Sequence, residues 1–224
     1  MHQRKSKKIL IYFFLLILVG SINNNSINNL KLEKVKKINI FGLDENDQKI
    51  LIYNLKNLDL KNIFYINKKS FQNIIENNSL VEEYTVIKKY PYSIDINIKK
   101  TNFIARINEN GKFFLVGSNG KLTDNKNSEV QLPYIFGNPK IKEVLELKEI
   151  IDQSNIEYSE IKTLYYFKSK RWDLKFNNDL VIRLPEKIKK ETLDKIFIFL
   201  KDVELGKKKI LDARIRNQII LLNE

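Results

Sequence analysis

The chain contains no cysteine in its 224 residues, and its only histidine is His2. Without thiols it forms neither disulfides nor thiolate metal sites. Because His2 lies in a basic N-terminal tail, the remainder of the sequence cannot build a histidine-dependent catalytic triad or a histidine metal site. Chemistry that depends on either residue type is therefore excluded.

Glycine is also scarce, with seven residues, and none of them forms a phosphate-binding loop. The segment Gly117-Ser118-Asn119-Gly120 lies between two apolar strands, which predicts a hairpin turn. Glu82 and Glu83 alternate on a predicted strand, so at least one faces solvent. Asp212 and Arg214 lie two apart on a strand, which predicts a structural ion pair. We therefore predict no catalytic residue, no cofactor and no metal site, and we do not expect an enzyme.

The net charge is +13, but the basic residues are spread through every segment. No zinc pattern, Gly-Arg tract or recognition helix accompanies them. This distribution is typical of solvated lysines on strand and helix faces. It does not predict a nucleic-acid partner, which would also require a cytosolic chain.

The most prominent feature is the apolar run from Ile9 to Ile22, which follows Arg4, Lys5, Lys7 and Lys8. A basic flank before an apolar run is typical of a chain that crosses a membrane with its N-terminus inside. At about 1.5 Å per residue, the run covers about 21 Å of a hydrocarbon core of about 30 Å. The helix could still span the core if Lys7 and Lys8 snorkel to one interface and the helix extends towards Ile27 and Leu30 at the other.

Two other interpretations of this run remain open. It has the length of a signal-peptide core, and Val19-Gly20-Ser21 is a passable cleavage site. A buried core helix is the third interpretation, although the run is apolar on all sides. Retention of residues 1–21 in the mature protein would distinguish an anchor from a signal peptide.

Residues 35–100 show the order β-α-α-β-β. Val35, Ile38 and Ile40 predict a strand that ends at Gly42, and Asp44 is the expected N-cap of a helix. The other predicted elements are a helix with Leu51, Leu55 and Leu58, a helix from Asn67 or Ser70 with Phe71, Ile74 and Ile75, and strands over 81–90 and 93–99. Two helices on one face of a three-stranded sheet would make a small α+β domain.

The second half is predicted as a mixed domain dominated by antiparallel strands. Residues 111–124 indicate strand, turn, strand, and residues 132–139 indicate a short connection with two prolines. The remaining predicted elements are a helix over 140–153, a strand over 161–167, a helix with Leu193, Ile196, Phe197 and Leu200 that Gly206 ends, and strands over 210–216 and 218–222.

The clearest local signal is the hairpin over 171–186. Pairing Phe176 with Leu180 also pairs Leu174 with Ile182 and Trp172 with Leu184. All six side chains then share one buried face, so burial fixes the register. Asn177, Asn178 and Asp179 form the loop.

Several blocks together resemble the bacterial division family FtsQ/DivIB. VKKINIFG, SLVEEYTVIKKYP and SIDINIKKTNFIA are similar to the family's POTRA domain, and Lys99, Lys100 and Asn102 depart from its usual Glu-Arg and Pro. KRWDLKFNNDLVIRLPE, LPYIFG and ILDARIR are similar to blocks of its second domain. The resemblance runs from the apolar segment nearly to the last residue.

The resemblance implies a cytoplasmic tail over 1–8, a transmembrane helix and polar linker over 9–30, a POTRA-like domain over 35–105 and an FtsQ-type β domain over 106–224. It implies a single-pass inner-membrane protein at the division septum with a periplasmic ectodomain. Such a protein acts as a non-catalytic divisome scaffold that binds small bitopic partners of the FtsB/FtsL type and helps recruit and regulate septal cell-wall synthesis. The alternative is a cleaved periplasmic assembly factor or chaperone with a POTRA domain.

The last strand is expected at a sheet edge, where unpaired backbone groups invite a partner strand. The resemblance implies the same site, on the last strands and the preceding helix. The predicted partner-binding residues are Lys195, Arg214, Ile215, Gln218, Ile219, Ile220, Leu221 and Leu222. On the POTRA-like domain, Val86 and Lys88 are the predicted recruitment residues.

Overall fold

The computed structural model describes residues 3–22, 34–58, 60, 62–124, 131–202, 208–215 and 218–223. The helices are α1 (Gln3–Ile22), α2 (Glu45–Lys56), α3 (Lys68–Glu76), α4 (Ile141–Asp152) and α5 (Lys190–Asp202), with a short 3-10 helix at Tyr158–Glu160. The strands are β1 (Lys37–Phe41), β2 (Val81–Lys89), β3 (Ser93–Lys100), β4 (Phe103–Glu109), β5 (Lys112–Gly117), β6 (Leu122–Asp124), β7 (Tyr134–Phe136), β8 (Ile161–Tyr166), β9 (Trp172–Phe176), β10 (Val181–Arg183), β11 (Lys208–Asp212) and β12 (Ile220–Asn223).

The apolar run lies in α1, which also includes part of the basic tail. Its large side chains from Ile9 to Val19 are all exposed, so the interpretation as a buried core helix is wrong. Among the described residues, no helix is both long enough and apolar enough to span a membrane. The expected transmembrane helix stays a prediction.

The first domain has the predicted β-α-α-β-β order. Its sheet has the order β1-β3-β2, in which β1 is parallel and β2 antiparallel to the central β3. Both helices pack on one face, because α2 buries Leu51 and Leu55 and α3 buries Phe71 and Ile75 in the same core as the sheet's isoleucines. The helix periodicity and strand alternation therefore predicted the order of these elements correctly, although Val35 lies before β1 and Leu58 lies after α2.

A glycine makes the connection between β1 and α2 possible. Gly42 has φ +92°, and a Cβ built there would lie 1.8 Å from the carbonyl oxygen of Ile98. Only glycine tolerates both the left-handed backbone and this close approach. Asp44 is the N-cap residue of α2, but its side chain makes no capping hydrogen bond. Its carboxylate instead pairs with Lys100 Nζ at 2.5 Å.

The second domain is built on one sheet with the strand order β12-β11-β10-β9-β8-β7-β4-β5-β6. The crossovers from β7 to β8 and from β10 to β11 join parallel pairs and contain α4 and α5, respectively. Both helices pack on the same face, where Val144, Leu147 and Ile151 join Leu193 and Ile196 in one core. The other face of the sheet has no helix on it in the described part of the chain.

The predicted hairpin is confirmed in every detail of its register. Leu174 pairs with Ile182. The backbone N–H of Phe176 donates to Leu180 O at 2.9 Å, and that of Leu184 donates to Trp172 O at 3.0 Å. All six apolar side chains are buried, so burial of one face was sufficient to fix the pairing.

Two strands of this sheet were missed from the sequence. β4 covers residues for which no element was predicted. The signal that was missed is Asn110-Gly111 at its end. These residues have φ of 52° and 82°, as a two-residue hairpin turn requires. The segment predicted as a proline-rich connection contains β7, a central strand between β4 and β8. β4 also crosses the predicted division at 105/106, and the domain bounds themselves stay a prediction.

The last two strands are shifted from their predicted bounds. The strand predicted over 210–216 is β11, Lys208–Asp212, and the strand predicted over 218–222 is β12, Ile220–Asn223. The predicted helix end at Gly206 lies outside the described residues.

Candidate partner-binding surfaces

The strand β12 forms one edge of the large sheet. It is antiparallel to β11, with Leu221 opposite Leu211 and Ile220 opposite Asp212, and no described strand lies on its outer side. Ile219 and Leu221 pack against the core beneath the helices, whereas Ile220 is 40% exposed and Leu222 is 38% exposed. The strand therefore presents free backbone groups and an apolar outer face.

The structure brings most of the predicted partner-binding residues to this edge. Ile215 is 55% exposed in the connection before β12, and Gln218 donates its backbone N–H to Ile215 O at 3.2 Å. Lys195 is exposed on α5, the helix that packs on the same core as the inner side of β12.

Arg214 is engaged within the chain. Its Nε lies 2.8 Å from Asp212 Oδ1 and 2.9 Å from Oδ2, which confirms the predicted ion pair. The hydrogen bonds from Arg214 hold the pKa of Asp212 below its ordinary value. Since Asp212 is only 6% exposed, a substitution of Arg214 would leave a buried carboxylate without its main partner.

A second buried carboxylate lies beside this pair. Asp173 is directly opposite Arg183, which in turn is opposite Asp212. The nearest guanidinium nitrogens of Arg171 and Arg183 are 3.4 and 3.9 Å from the Asp173 carboxylate. Burial raises the pKa of Asp173, and the neighbouring arginines only partly offset this. These charges occupy the face of the sheet that has no helix.

Aromatic side chains continue across the same face. The ring centroids of Phe113 and Tyr134 are 5.9 Å apart, those of Tyr134 and Phe136 are 4.6 Å apart, and those of Phe136 and Tyr165 are 5.3 Å apart. Sequence reasoning missed this stripe because its members come from three strands that are distant in sequence, and one of those strands was not predicted.

The predicted recruitment residues lie on β2, an edge strand of the small sheet. Val86 is half-buried against the core, whereas Lys88 is exposed and donates from Nζ to Ile63 O at 2.8 Å. Both residues line a groove of about 440 Å³ between β2 and α3, together with Phe71, Tyr84 and Ile94.

The predicted turn between β5 and β6, in the second domain, forms hydrogen bonds with the first domain. Asn119 Nδ2 donates to Ser79 O and to Val81 O, each at 2.9 Å. Glu82 Oε2 accepts from Thr101 Oγ1 and from Ser118 Oγ, each at 2.8 Å. The end of the first domain at which β2 begins is therefore in contact with the second domain. The hairpin turn was foreseen from the sequence, but this contact was not.

A small β-α-α-β-β domain followed by a mixed β domain defines the class of protein, and comparison with known families identifies it. Residues 33–100 match the model described as "POTRA domain, FtsQ-type". Residues 105–214 match the model described as "Cell division protein FtsQ/DivIB, C-terminal". The two matches together cover most of the chain, which therefore belongs to the FtsQ/DivIB family of cell-division proteins.

Two relatives are similar over different lengths. The chain is 27% identical to the cell division protein DivIB of Clostridium botulinum (strain Loch Maree / Type A3) over 215 residues, which are 95% of this chain and 73% of that protein. It is 28% identical to DivIB of Clostridium acetobutylicum over 90 residues, which are 40% of this chain and 36% of that protein.

The chain is also similar to a solved structure of the major extracytoplasmic domain of DivIB from Geobacillus stearothermophilus. It has 13% identity and a TM-score of 0.33, and the similarity covers 46% of this chain and 98% of that domain. A similarity at this level does not bear on the fold.

Proposed function

We propose that this protein is a membrane-anchored scaffold of the division machinery. In this proposal it binds small bitopic proteins of the FtsB/FtsL type and helps recruit and regulate septal cell-wall synthases. It acts by binding and does not catalyse a reaction. Membership of a family of cell-division proteins supports this role.

The observation that carries the partner proposal is the position of β12 at the edge of the sheet. An added partner strand would satisfy the unpaired backbone groups of β12. It would also cover Ile220 and Leu222, whose exposed apolar surface leaves a free edge poorly protected. Lys195 on α5 would meet an acidic segment of the partner.

The proposed anchor is the apolar part of α1. Its large side chains from Ile9 to Val19 are exposed and make no contact with either domain core. The basic residues before this segment support a cytoplasmic N-terminus and therefore a periplasmic ectodomain. Membership of a family of cell-division proteins supports a location at the septum.

The partner site is tested by capture of an FtsB-type protein by the detergent-solubilised full chain. Ile220→Lys should abolish capture with little loss of fold, because the side chain is already partly exposed. The matched control is Ile50→Lys on α2, which changes an isoleucine that is 53% exposed in the other domain. Deletion of residues 218–224 should also abolish capture while the first domain stays folded.

Equal capture by wild type and Ile220→Lys, with unchanged circular dichroism, would show that the site lies elsewhere. The anchor is tested separately by adding protease to spheroplasts, which should digest the ectodomain and spare the tail. A soluble mature form without residues 1–21 would contradict the anchor and favour the cleaved assembly factor.

A further inference from the structure

One end of the first domain carries exposed aromatic side chains. Phe64, Tyr65, Tyr90 and Tyr92 are 56%, 75%, 60% and 40% exposed, respectively. The ring centroids of Phe64 and Tyr90 are 5.0 Å apart. Large aromatic side chains of a soluble domain are normally buried more completely than this, so a cluster of them at one end indicates a contact surface.

These aromatics come from two loops at the same end of the sheet. Lys88 Nζ donates to Ile63 O at 2.8 Å, which holds the loop between α2 and α3 against the end of β2. The backbone N–H of Lys36 donates to Tyr92 O at 2.9 Å, which holds the turn between β2 and β3 beside the start of β1. The aromatic end is therefore the end at which the chain arrives from α1.

The same end is strongly basic. Eight exposed lysines lie at this end, at the termini of four elements. They are Lys34, Lys36 and Lys37 near the start of β1, Lys56 at the end of α2, Lys68 and Lys69 at the start of α3, and Lys88 and Lys89 at the end of β2. In the described residues 34–38, 56–58, 60, 62–70 and 88–95, the only carboxylate is Asp95. Asp95 is 5% exposed and is bound by Lys89 Nζ at 2.5 Å and Asn39 Nδ2 at 2.7 Å. The exposed charge of this end is therefore positive.

The opposite end of the first domain is occupied by the second domain. Asn119 and Glu82 form the hydrogen bonds of that junction. The aromatic, basic end therefore faces away from the second domain. Residues 23–33 connect it to α1, and a fully extended chain of that length spans at most roughly 40 Å.

We propose that this basic aromatic end, defined by Phe64, Tyr65, Tyr90, Tyr92 and the lysines named above, docks on anionic lipid headgroups. Tyrosine rings favour the headgroup level of a bilayer. Lysines near an anionic leaflet are attracted to it. The proposal rests on the proposed anchoring of α1, which would bring this end close to the bilayer surface. Docking would fix the direction in which the second domain, and with it β12, points away from the membrane.

The absence of native cysteine allows a direct test. Tyr65→Cys in the full chain is labelled with a polarity-sensitive fluorophore and reconstituted into phosphatidylcholine vesicles with or without phosphatidylglycerol. The matched control is a label at Phe113→Cys, because Phe113 is 53% exposed but lies on β5 of the second domain. Vesicle flotation of the same samples reports on anchoring alone.

The label at position 65 should shift to the blue and become several-fold less accessible to iodide only in vesicles that contain phosphatidylglycerol. High salt should reverse both changes, because attraction between exposed charges is screened. Lys68→Gln combined with Lys69→Gln should remove most of the protection, whereas Lys162→Gln, an exposed lysine of the second domain, should not.

A chain that floats with the vesicles, but whose label at 65 stays as accessible as the label at 113, would overturn the docking proposal and leave the anchor intact. Equal protection without phosphatidylglycerol would overturn the assignment to an anionic surface. Protection that appears only when an acidic partner protein is added would assign the surface to that partner instead. Loss of flotation would overturn both proposals.

Discussion

At the scale of single residues, the second domain depends on one large side chain in the predicted hairpin. Trp172 is 4% exposed, and its ring centroid lies 4.8 Å from that of Tyr166. Its backbone also accepts the bond from Leu184. The side chain is therefore enclosed in the core of the second domain, and its removal would leave a cavity there.

Trp172→Ala should destabilise the protein by about 3–5 kcal/mol, the range for loss of a large buried aromatic side chain. Denaturant unfolding followed by circular dichroism measures this change. The control Phe113→Ala removes an aromatic side chain that is 53% exposed and should cost less than about 1 kcal/mol. A loss below about 1 kcal/mol for Trp172→Ala would contradict the packing described above.

The pair of Asp212 and Arg214 should make stability depend on pH. The folded pKa of Asp212 lies below its ordinary value of 3.8, so the unfolded chain binds the proton more readily. The contribution is present above pH 3.8 and is lost as the pH falls through the folded pKa. Urea unfolding between pH 6 and pH 3 should show this loss, and Asp212→Asn should reduce it.

Asp173→Asn is the matched comparison. The pKa of Asp173 is raised, so its charged form destabilises the fold as the pH rises above 3.8. This substitution should therefore steepen the loss of stability at low pH rather than reduce it. If both variants changed the loss of stability at low pH in the same direction, one of the two pKa assignments, lowered for Asp212 and raised for Asp173, would be wrong.

At the scale of elements, the connection from β1 to α2 depends on Gly42. A side chain there would meet the Ile98 carbonyl in the central strand β3. The two elements therefore hold their relative position only with glycine between them.

Gly42→Ala should destabilise the first domain clearly more than Gly111→Ala destabilises the second domain. Both glycines have positive φ, but a Cβ at Gly111 meets nothing within 4 Å. The Gly111 variant should lose only about 1–2 kcal/mol of stability from the unfavourable backbone conformation. The Gly42 variant should lose this amount and, in addition, be destabilised by a steric clash with Ile98. Calorimetry of both variants gives the comparison, and equal shifts of the unfolding midpoint of the affected domain would contradict the role given to Ile98.

At the scale of the whole molecule, the junction around the turn between β5 and β6 couples the two domains. Glu82 faces this junction, whereas its neighbour Glu83 is exposed and pairs with Lys99 at 3.1 Å. The alternation along β2 therefore gives two adjacent glutamates different roles.

Glu82→Ala should weaken the junction by about 1–3 kcal/mol, since two hydroxyl groups lose a charged acceptor. Calorimetry should then show the two domains unfolding at more separate temperatures than in wild type. Glu83→Ala should leave the calorimetric profile unchanged. Identical profiles for both variants would indicate that Glu82 does not couple the domains.

Several elements follow from local patterns in the sequence alone. Alternation in the hairpin over 171–186 and the helical periodicity of Leu51, Leu55, Phe71 and Ile75 were sufficient, because each pattern specifies which face is buried. The ion pair of Asp212 and Arg214 was also foreseen, because the two residues are only two apart in the sequence, although Arg214 follows the end of β11.

The contacts between distant segments, in contrast, depend on tertiary packing. β7 is three residues long and lies among prolines, so its own pattern indicated a loop, and it is a strand because β4 and β8 pair with it on either side. The aromatic stripe, the contact of Asn119 with the first domain and the basic aromatic end likewise depend on segments far apart in the chain. Pairing between such segments depends on the packing of the whole core, which no local pattern encodes.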